Sequence, residues 1–391
     1  MANFTGKLGQ NKILFSEVAG ALYNMIINQT VESRTIGSGM ASLIDEATRE
    51  VGLYGDRILK YFTDMLRVYD YEADTTDQLN VLATYRPPVP ICQEMVIDTA
   101  KFIPLTLDDY LTKQGFADSA TFGSFQSVMS DWLKNTKKVY LAKEYNVYVG
   151  TTYADPSNTS QNVILTTLTS LDSLTTQAEK EAASRRNAQI IAEAVANTMV
   201  KMTEDASRDY NDLGVEACFD KEDLLMVWNA EELNKITLVD LPTMYNDNEV
   251  LGALKQNIRR LPAKYFGEEV VNSGSSDVTA NGTDSFRFMH QTVVGGKVYQ
   301  AGDIIPNGTK VYTGATQKIE IPYYCEGQGV SGHGTIFCKI IHKDAAPVLA
   351  GFETTTEFWN PKNLSRNDYL HFLYNSFDRF TGYPWVSIIE D

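Results

Sequence analysis

Little in this chain suits chemistry. Of its 391 residues only four are cysteine and four are histidine, and 34 Lys and Arg face 50 Asp and Glu. The formal net charge is −16. A chain this acidic is a poor phosphate binder, because phosphate contact needs clustered Lys and Arg. It stays soluble at high concentration and needs favourable local contacts to self-associate. The cysteines Cys92, Cys218, Cys325 and Cys338 are widely spread. That spacing predicts reduced thiols rather than a disulfide framework. No stretch approaches the roughly 18 apolar residues of a membrane span, so no membrane partner is expected. The Met-Ala-Asn-Phe-Thr start has no basic region followed by an apolar run, so no signal peptide is expected. The Asn-x-Ser/Thr triplets at Asn158, Asn281 and Asn307 are then chemically idle. No Gly-x-Ser-x-Gly elbow, His-Glu-x-x-His, Walker loop or dinucleotide fingerprint follows a strand.

The metal-like spacing that does occur is Cys325-x7-His333-x4-Cys338-x3-His342. Both residue types ligate zinc, but a finger places its cysteines two to four apart. Cys338 and His342 also sit in an apolar run, where a small buried thiol is ordinary. These four are read as structural residues, with a zinc-binding enzyme as the alternative they would support. The paired carboxylates Asp108-Asp109 and Glu231-Glu232 are read as acid at helix N-termini. The methionines Met25, Met199 and Met202 are read as core. No catalytic, cofactor-binding or metal residue is assigned, and no cofactor is expected.

What the chain does have is apolar and aromatic mass, 43% and 11%, with 21 tyrosines. That is enough for two or three domains. Tyrosine suits surfaces that become buried on association. Phe15, Val18, Ala19, Leu22, Ile26 and Ile27 recur at helical spacing, and Leu43, Ile44, Ala47 and Val51 repeat the pattern after a Gly37-Ser-Gly39 break. So few residues form no core alone, so this arm docks on something else. Asp56–Tyr71 reads as strand in its second half, and Ile91–Leu105 reads as strand. Between them Glu72–Pro90 is acidic and then proline-rich, which favours edge or extended backbone. It is either a surface hairpin or a long loop reaching a neighbouring subunit.

Residues 119–147 predict a helix, with Phe122, Phe125, Val128/Met129, Trp132/Leu133 and Val139/Tyr140 on one face. At 1.5 Å per residue it is about 40 Å long, a spine for a sheet, with Gly150 marking an end. Residues 176–203 predict a second helix, with Ala183, Ile190/Ile191, Ala194/Val195, Met199 and Met202 inward. Leu224–Trp228 reads as a buried strand, and Asn229 as the cap of a short helix. From 272 to 333, Gly and Asn-Gly turns separate the short runs Phe286–Met289, Lys297–Tyr299, Lys310–Tyr312 and Lys318–Ile321. This is a small antiparallel β module inserted in a larger domain. Thr335–His342 resumes a buried strand of the parent domain. The closing segment runs as an alternating strand to Asn360-Pro361, then an aromatic helix around Tyr369–Tyr374, then a strand to Ile389 beside the spine helix. Its cluster Phe358, Trp359, Tyr369, Phe372, Tyr374 and Phe377 has no basic surround, so core or subunit contact is expected rather than base stacking.

The order of these parts resembles the major capsid proteins of tailed bacteriophages, the Hong Kong 97-type fold. It is most similar to shell proteins of small short-tailed phages of Gram-positive bacteria. The residues that carry the resemblance are Ile27-Asn-Gln-Thr-Val31, Phe122-Gly-Ser-Phe-Gln-Ser-Val128, Ser207-Arg-Asp-Tyr-Asn211, Asp223–Leu233 and above all Glu357–Tyr374 with the final strand. The resemblance implies an α+β fold with an N-terminal arm (1–55) and an extended loop (56–106). It implies a peripheral domain (107–203 and 346–391), an axial domain (204–271 and 334–345) and the inserted module (272–333). It implies self-assembly as hexamers and pentamers into an icosahedral shell around double-stranded DNA, which is touched only non-specifically. Scaffolding, portal and head decoration proteins are the implied partners, the host cytoplasm the place of assembly, and the virion the final location. A tail or head-decoration component is the nearest alternative.

Overall fold

Two long helices lie against opposite faces of one five-stranded sheet. The computed structural model describes residues 38–50, 54–66, 68, 86–108, 119–239, 257–272, 276–281, 285–313, 320–362 and 365–391. In this sheet the strand order is Asn162–Leu165, Trp385–Glu390, Ile336–His342, Leu224–Asn229 and Ile258–Leu261. The outer pairs are parallel and the inner pairs antiparallel. Leu224–Asn229 is buried at every position, as expected of a strand covered on both faces. Its alternate residues point to opposite sides. Leu224, Met226 and Trp228 meet Ile191, Val195, Met199 and Met202 of the second long helix, Gln177–Thr203. Leu225 and Val227 meet Ala142, Tyr145 and Val149 of the spine helix, Ser119–Thr151.

The second helix starts at a capping box, with Thr176 and Glu179 each bonding the other's backbone N–H. The described part of the arm, residues 38–50, packs on the spine helix of its own chain. Ala41, Leu43, Ile44 and Ala47, around the short helix Ser42–Ala47, are buried there. Thr48–Glu50 then adds to a four-stranded sheet with Val348–Asn360, Ser365–Tyr374 and Thr99–Asp108. The short helix Ala230–Val239 is capped by Asn229, whose Oδ1 accepts from Glu231 N at 3.2 Å.

Several expectations need correction. The aromatic segment at 369–374 is a strand, not a helix. It alternates, with Leu370, Phe372 and Tyr374 buried and Tyr369 and His371 half-buried on the other face. The last strand, Trp385–Glu390, pairs with Ile336–His342 and not with the four-stranded sheet. The expected grouping put 107–203 and 346–391 together, but the second helix and the last strand pack with 224–229 and 336–342. In the first half of 56–71 there is a strand, Arg57–Phe62; in the second half the described residues 64–66 and 68 are in no strand, and the others lie outside the described residues. Ile91–Leu105 is broken into Ile91–Val96 and Thr99–Asp108. At the break Asp98 turns away to accept hydrogen bonds from Ser376 N at 2.7 Å and Ser376 Oγ at 2.8 Å. Asp108 ends a strand rather than opening a helix. Of the expected strand Lys318–Ile321, residues 318 and 319 lie outside the described residues; Glu320 makes one isolated bridge to Tyr312, and the strand follows at Tyr323–Glu326. The helical pattern around Phe15–Ile27, most of Glu72–Pro90, Asp109 and Met25 lie outside the described residues.

The spine helix passes through Gly150 to Thr151. A Cβ at Gly150 would sit 1.9 Å from the Tyr265 carbonyl oxygen, so only glycine lets that loop touch the helix. Just beyond, Lys339 is fully buried on the central strand. Its Nζ donates to Gly150 O at 2.8 Å and Thr152 O at 2.7 Å and lies 4.0 Å over the Tyr153 ring. Burial, and then the Arg379 guanidinium, push the Lys339 amine well below its ordinary range. A neutral amine keeps two N–H groups, one for each carbonyl.

Two outcomes follow from this junction. Gly150→Ala should lower stability by about 1–3 kcal/mol through overpacking, read from urea unfolding of the unassembled subunit. A folded-state amine held below its unfolded value binds fewer protons than the unfolded chain, so stability rises with pH through that window. Wild type should therefore gain stability relative to Lys339→Met as pH is raised from neutral towards the unfolded lysine range, and parallel curves would contradict the assignment.

Candidate assembly surfaces

Three exposed apolar features have no partner within the described residues, and each grows from a rigid base. The first is the hairpin formed by Arg57–Phe62 and Ile91–Val96. One face of Arg57–Phe62 is half-buried and the other exposed, in strict alternation. The inward residues Ile58 and Phe62 pack with Met95, Ile97, Leu349 and Phe380. The Phe62 ring meets Tyr383 edge-on at 5.3 Å, and a Cβ at Gly382 would strike it at 2.4 Å. The outward residues Leu59 and Tyr61 stand in solvent, and so does Ile91, which pairs with Phe62 at the hairpin's far end.

Charge fixes the hairpin's angle. The Asp344 carboxylate accepts from Arg49 of the arm at 3.0 Å and from Lys60 of the hairpin at 3.4 Å. The carboxylate lies below its usual range, with burial opposing and the Arg49 and Lys60 contacts prevailing. Farther along, Asp64 pairs with Arg208 at 2.9 Å, and Gln93 donates to Thr381. Arg208 belongs to the Ser207–Asn211 turn, whose Tyr210 is buried under the second helix. Asn211 closes that turn by bonding both backbone atoms of Val215, at 2.6 and 2.9 Å.

The second feature is one face of the four-stranded sheet. The register aligns Phe102 with His371 and Thr354, Pro104 with Tyr369 and Thr356, and Thr106 with Asn367 and Phe358. Paired residues share a face. Phe102 lies 5.9 Å from Tyr369 and 6.0 Å from His371, whose Nε2 is 2.9 Å from Thr356 Oγ1. Phe102 and Phe358 are 58% and 62% exposed, so this aromatic face is uncovered. The opposite face carries Phe372 and Tyr374 against Tyr140 of the spine helix. Lys137 of that helix sits over Phe372 and pairs with Glu353 at 2.5 Å. The third feature is the sheet's tip, where Trp359 is 46% exposed next to Asn360-Pro361. Arg366 holds this end, 3.1 Å from Asp368 and 3.7 Å from Glu357.

The aromatic cluster predicted as core or subunit contact is thus divided. Phe372, Tyr374 and Phe377 pack against Tyr140, Tyr145 and Tyr148, while Phe358 and Trp359 face outward. Phe102 and the sheet face it anchors were missed; the signal was the apolar outward phase of Ala100–Thr106.

The four zinc-like residues are not brought together. Cys338 is buried among Met226, Trp228 and Val386 beneath the second helix, and burial pushes its thiol up. His342 stacks on Tyr383 at 4.2 Å, and burial lowers its pKa. His333 lies 3.3 Å from Asp391, and Cys325 pairs with Glu268 and Phe286 in the inserted module's sheet. Among the described residues no group of three or more His, Cys, Asp or Glu is placed to hold a metal, and no helix is long and apolar enough to cross a membrane. None of the four cysteines is in a disulfide. Glu231 and Glu232 open a helix as expected, and Glu232 pairs with Lys235 at 2.7 Å.

Known proteins share this arrangement. No curated protein matches the chain in sequence. The capsid structure of Staphylococcus phage Andhra is similar with a TM-score of 0.55 and 13% identity, over 88% of this chain and 83% of that one. A chain in the structure of the head fiber and inner core protein of native bacteriophage P68 gives 0.52 and 12%, over 88% and 83%. At these identities the likeness shows the fold, which is of the Hong Kong 97 type. The sequence profile of one family matches residues 1–376, nearly the whole chain and every described element before the last strand: the chain belongs to the Phi29-like phage major capsid proteins.

Proposed function

We propose that this shell-forming subunit assembles through the hairpin and the loop it carries, docked on neighbouring copies, with the uncovered sheet face as a second contact. The observation that carries the reading is the hairpin, pinned at its root on the chain's own body while Leu59, Tyr61 and Ile91 are exposed. A pre-set arm of this kind loses little conformational freedom on docking. Burying a large apolar side chain contributes about 1.5–3 kcal/mol. Many such modest contacts, each repeated around a closed symmetric shell, sum to a stable particle.

In this reading the four-stranded sheet and the start of the spine helix form the peripheral domain. The five-stranded sheet with the second long helix forms the axial domain around capsomer centres. The subunits close as hexamers and pentamers in an icosahedral head, with scaffolding, portal and decoration proteins as partners, and assembly takes place in the host cytoplasm. The acidic balance suits a shell that encloses double-stranded DNA without gripping it. The subunit has no catalytic role; its work is geometric.

Deleting residues 72–90 should abolish shells in negative-stain images of protein co-expressed with its scaffold while leaving the subunit's circular dichroism unchanged. Unfolding on deletion, or rings and tubes from the intact chain, would contradict the reading. Phe102→Asp tests the sheet face separately. It should lower shell yield at least about tenfold on a sucrose gradient, the loss from one apolar contact of about 1.4 kcal/mol, with unaltered subunit melting.

A further inference from the structure

We propose that the inserted module is held against the spine helix by a proton-linked latch, with Glu144 of the helix as acceptor and the His290–Gln291 bend of the module as catch. The Glu144 side chain is only 6% exposed. A carboxylate so far from water needs compensating partners, and two come from one bend of the module. Its Oε1 accepts from Gln291 N at 3.2 Å, and its Oε2 lies 3.5 Å from His290 Nδ1. Beside them opens a cavity of about 520 Å³ between the spine helix, the module and the four-stranded sheet. Tyr140, Tyr148, Tyr374 and Phe377 form its aromatic wall.

One helical turn from Glu144, Val147 packs with Tyr265, Ala301 and Tyr324 in an apolar root. The root carries no group that titrates near neutrality, since burial holds the hydroxyls of Tyr265 and Tyr324 high. The latch does. The hydrogen bond to Glu144 raises the His290 pKa, burial opposes it, the charges of Glu144 and Glu269 add to it, and Lys101 opposes it. Those charges come from every element around the ring: Glu144 from the spine helix, Glu269 from the strand Gly267–Glu269 that leads into the module, Lys101 from the four-stranded sheet. Tyr140 and Tyr374, hydroxyl to hydroxyl at 3.0 Å, are held neutral by burial.

A histidine raised in the folded state contributes docking strength fully below its unfolded value, and that strength is lost as pH rises through the raised one. Rising pH therefore loosens the bend about the apolar root and uncovers the aromatic wall. The His290 side chain is 58% exposed, so water screens the pair and the effect is a few-fold.

Hydrogen exchange of the full-length protein tests this, with the 288–294 segment referred to Ile336–His342 and corrected for intrinsic rates. Relative protection should fall about three- to fivefold between pH 6 and 9. His290→Gln should flatten the dependence. Lys101→Ala should move its midpoint to higher pH and Glu269→Gln to lower pH, shifts that a merely structural histidine would not show. A flat wild-type profile, or an unchanged slope in His290→Gln, overturns the proposal. Should His290→Gln fail to fold, an unmoved midpoint in Lys101→Ala overturns it instead.

Discussion

The buried C-terminus of the spine helix sets the rest of the structure. The last carbonyls of a helix have no partner within it, and buried carbonyls without donors are costly. Here the sheet provides the donors. Lys339 bonds Gly150 O and Thr152 O, and Trp385 Nε1 bonds Thr152 O at 2.7 Å. Both come from adjacent strands, so their pairing register fixes where the helix ends. Gln161 repeats the theme from the turn that follows. Its side chain accepts from Trp385 N at 3.0 Å and donates to Asp212 at 2.7 Å, and Asp212 holds Arg379. Polar groups buried at one junction thus tie together the spine, the last strand and the Ser207–Asn211 turn. Such groups are costly when half satisfied and specifying when complete.

From that junction the spine helix reaches into the second sheet, so one rigid element carries both. Its C-terminal half lies on the five-stranded sheet through Ala142, Tyr145 and Val149. Tyr140 and Lys137 carry the four-stranded sheet through Phe372, Tyr374 and Glu353. The exposed hairpin is then referenced to this frame by Asp344, Tyr383 and Arg208. A shell subunit needs this hierarchy. Contact surfaces repeated over a closed particle must be held at constant angles, and a hydrophobic root braced by charge holds an angle better than either alone.

Much of this was legible in the sequence because the relevant residues obey one period. Ile191, Val195, Met199 and Met202 fall on one helical face, and Leu224–Trp228 is an unbroken apolar run. The Asn229 cap and the Lys297–Tyr299 hairpin strand announced themselves by their turn chemistry. The segment 369–374 did not. Its residues are apolar or aromatic at every step because both faces of the strand are used, one against Tyr140 and one outward. Periodicity has nothing to choose between in such a run. The last strand is buried on both sides for the same reason, so its sequence shows a strand but not the sheet it joins. Gly150 looked like a terminator, whereas its role is to admit the Tyr265 carbonyl, a long-range contact with no local signature. The uncovered sheet face was hidden similarly, since Phe102 becomes part of a surface only when three strands are aligned.

The inserted module joins the body through two strands that pair with each other. Gly267–Glu269 runs antiparallel to Tyr323–Glu326, with Glu268 opposite Cys325. Everything between them is topologically the loop of one hairpin, closed at its neck by backbone hydrogen bonds. A Cβ at Gly267 would sit 2.2 Å from the Cys325 carbonyl oxygen, so that neck is drawn tight. Covalently the body is therefore joined only to a closed pair of chain ends a strand's width apart, while the spine helix touches the module separately through Glu144 and Val147. In geometric terms the position is a socket. A short turn, or an unrelated domain whose termini lie equally close, would satisfy the same neck without redirecting either sheet.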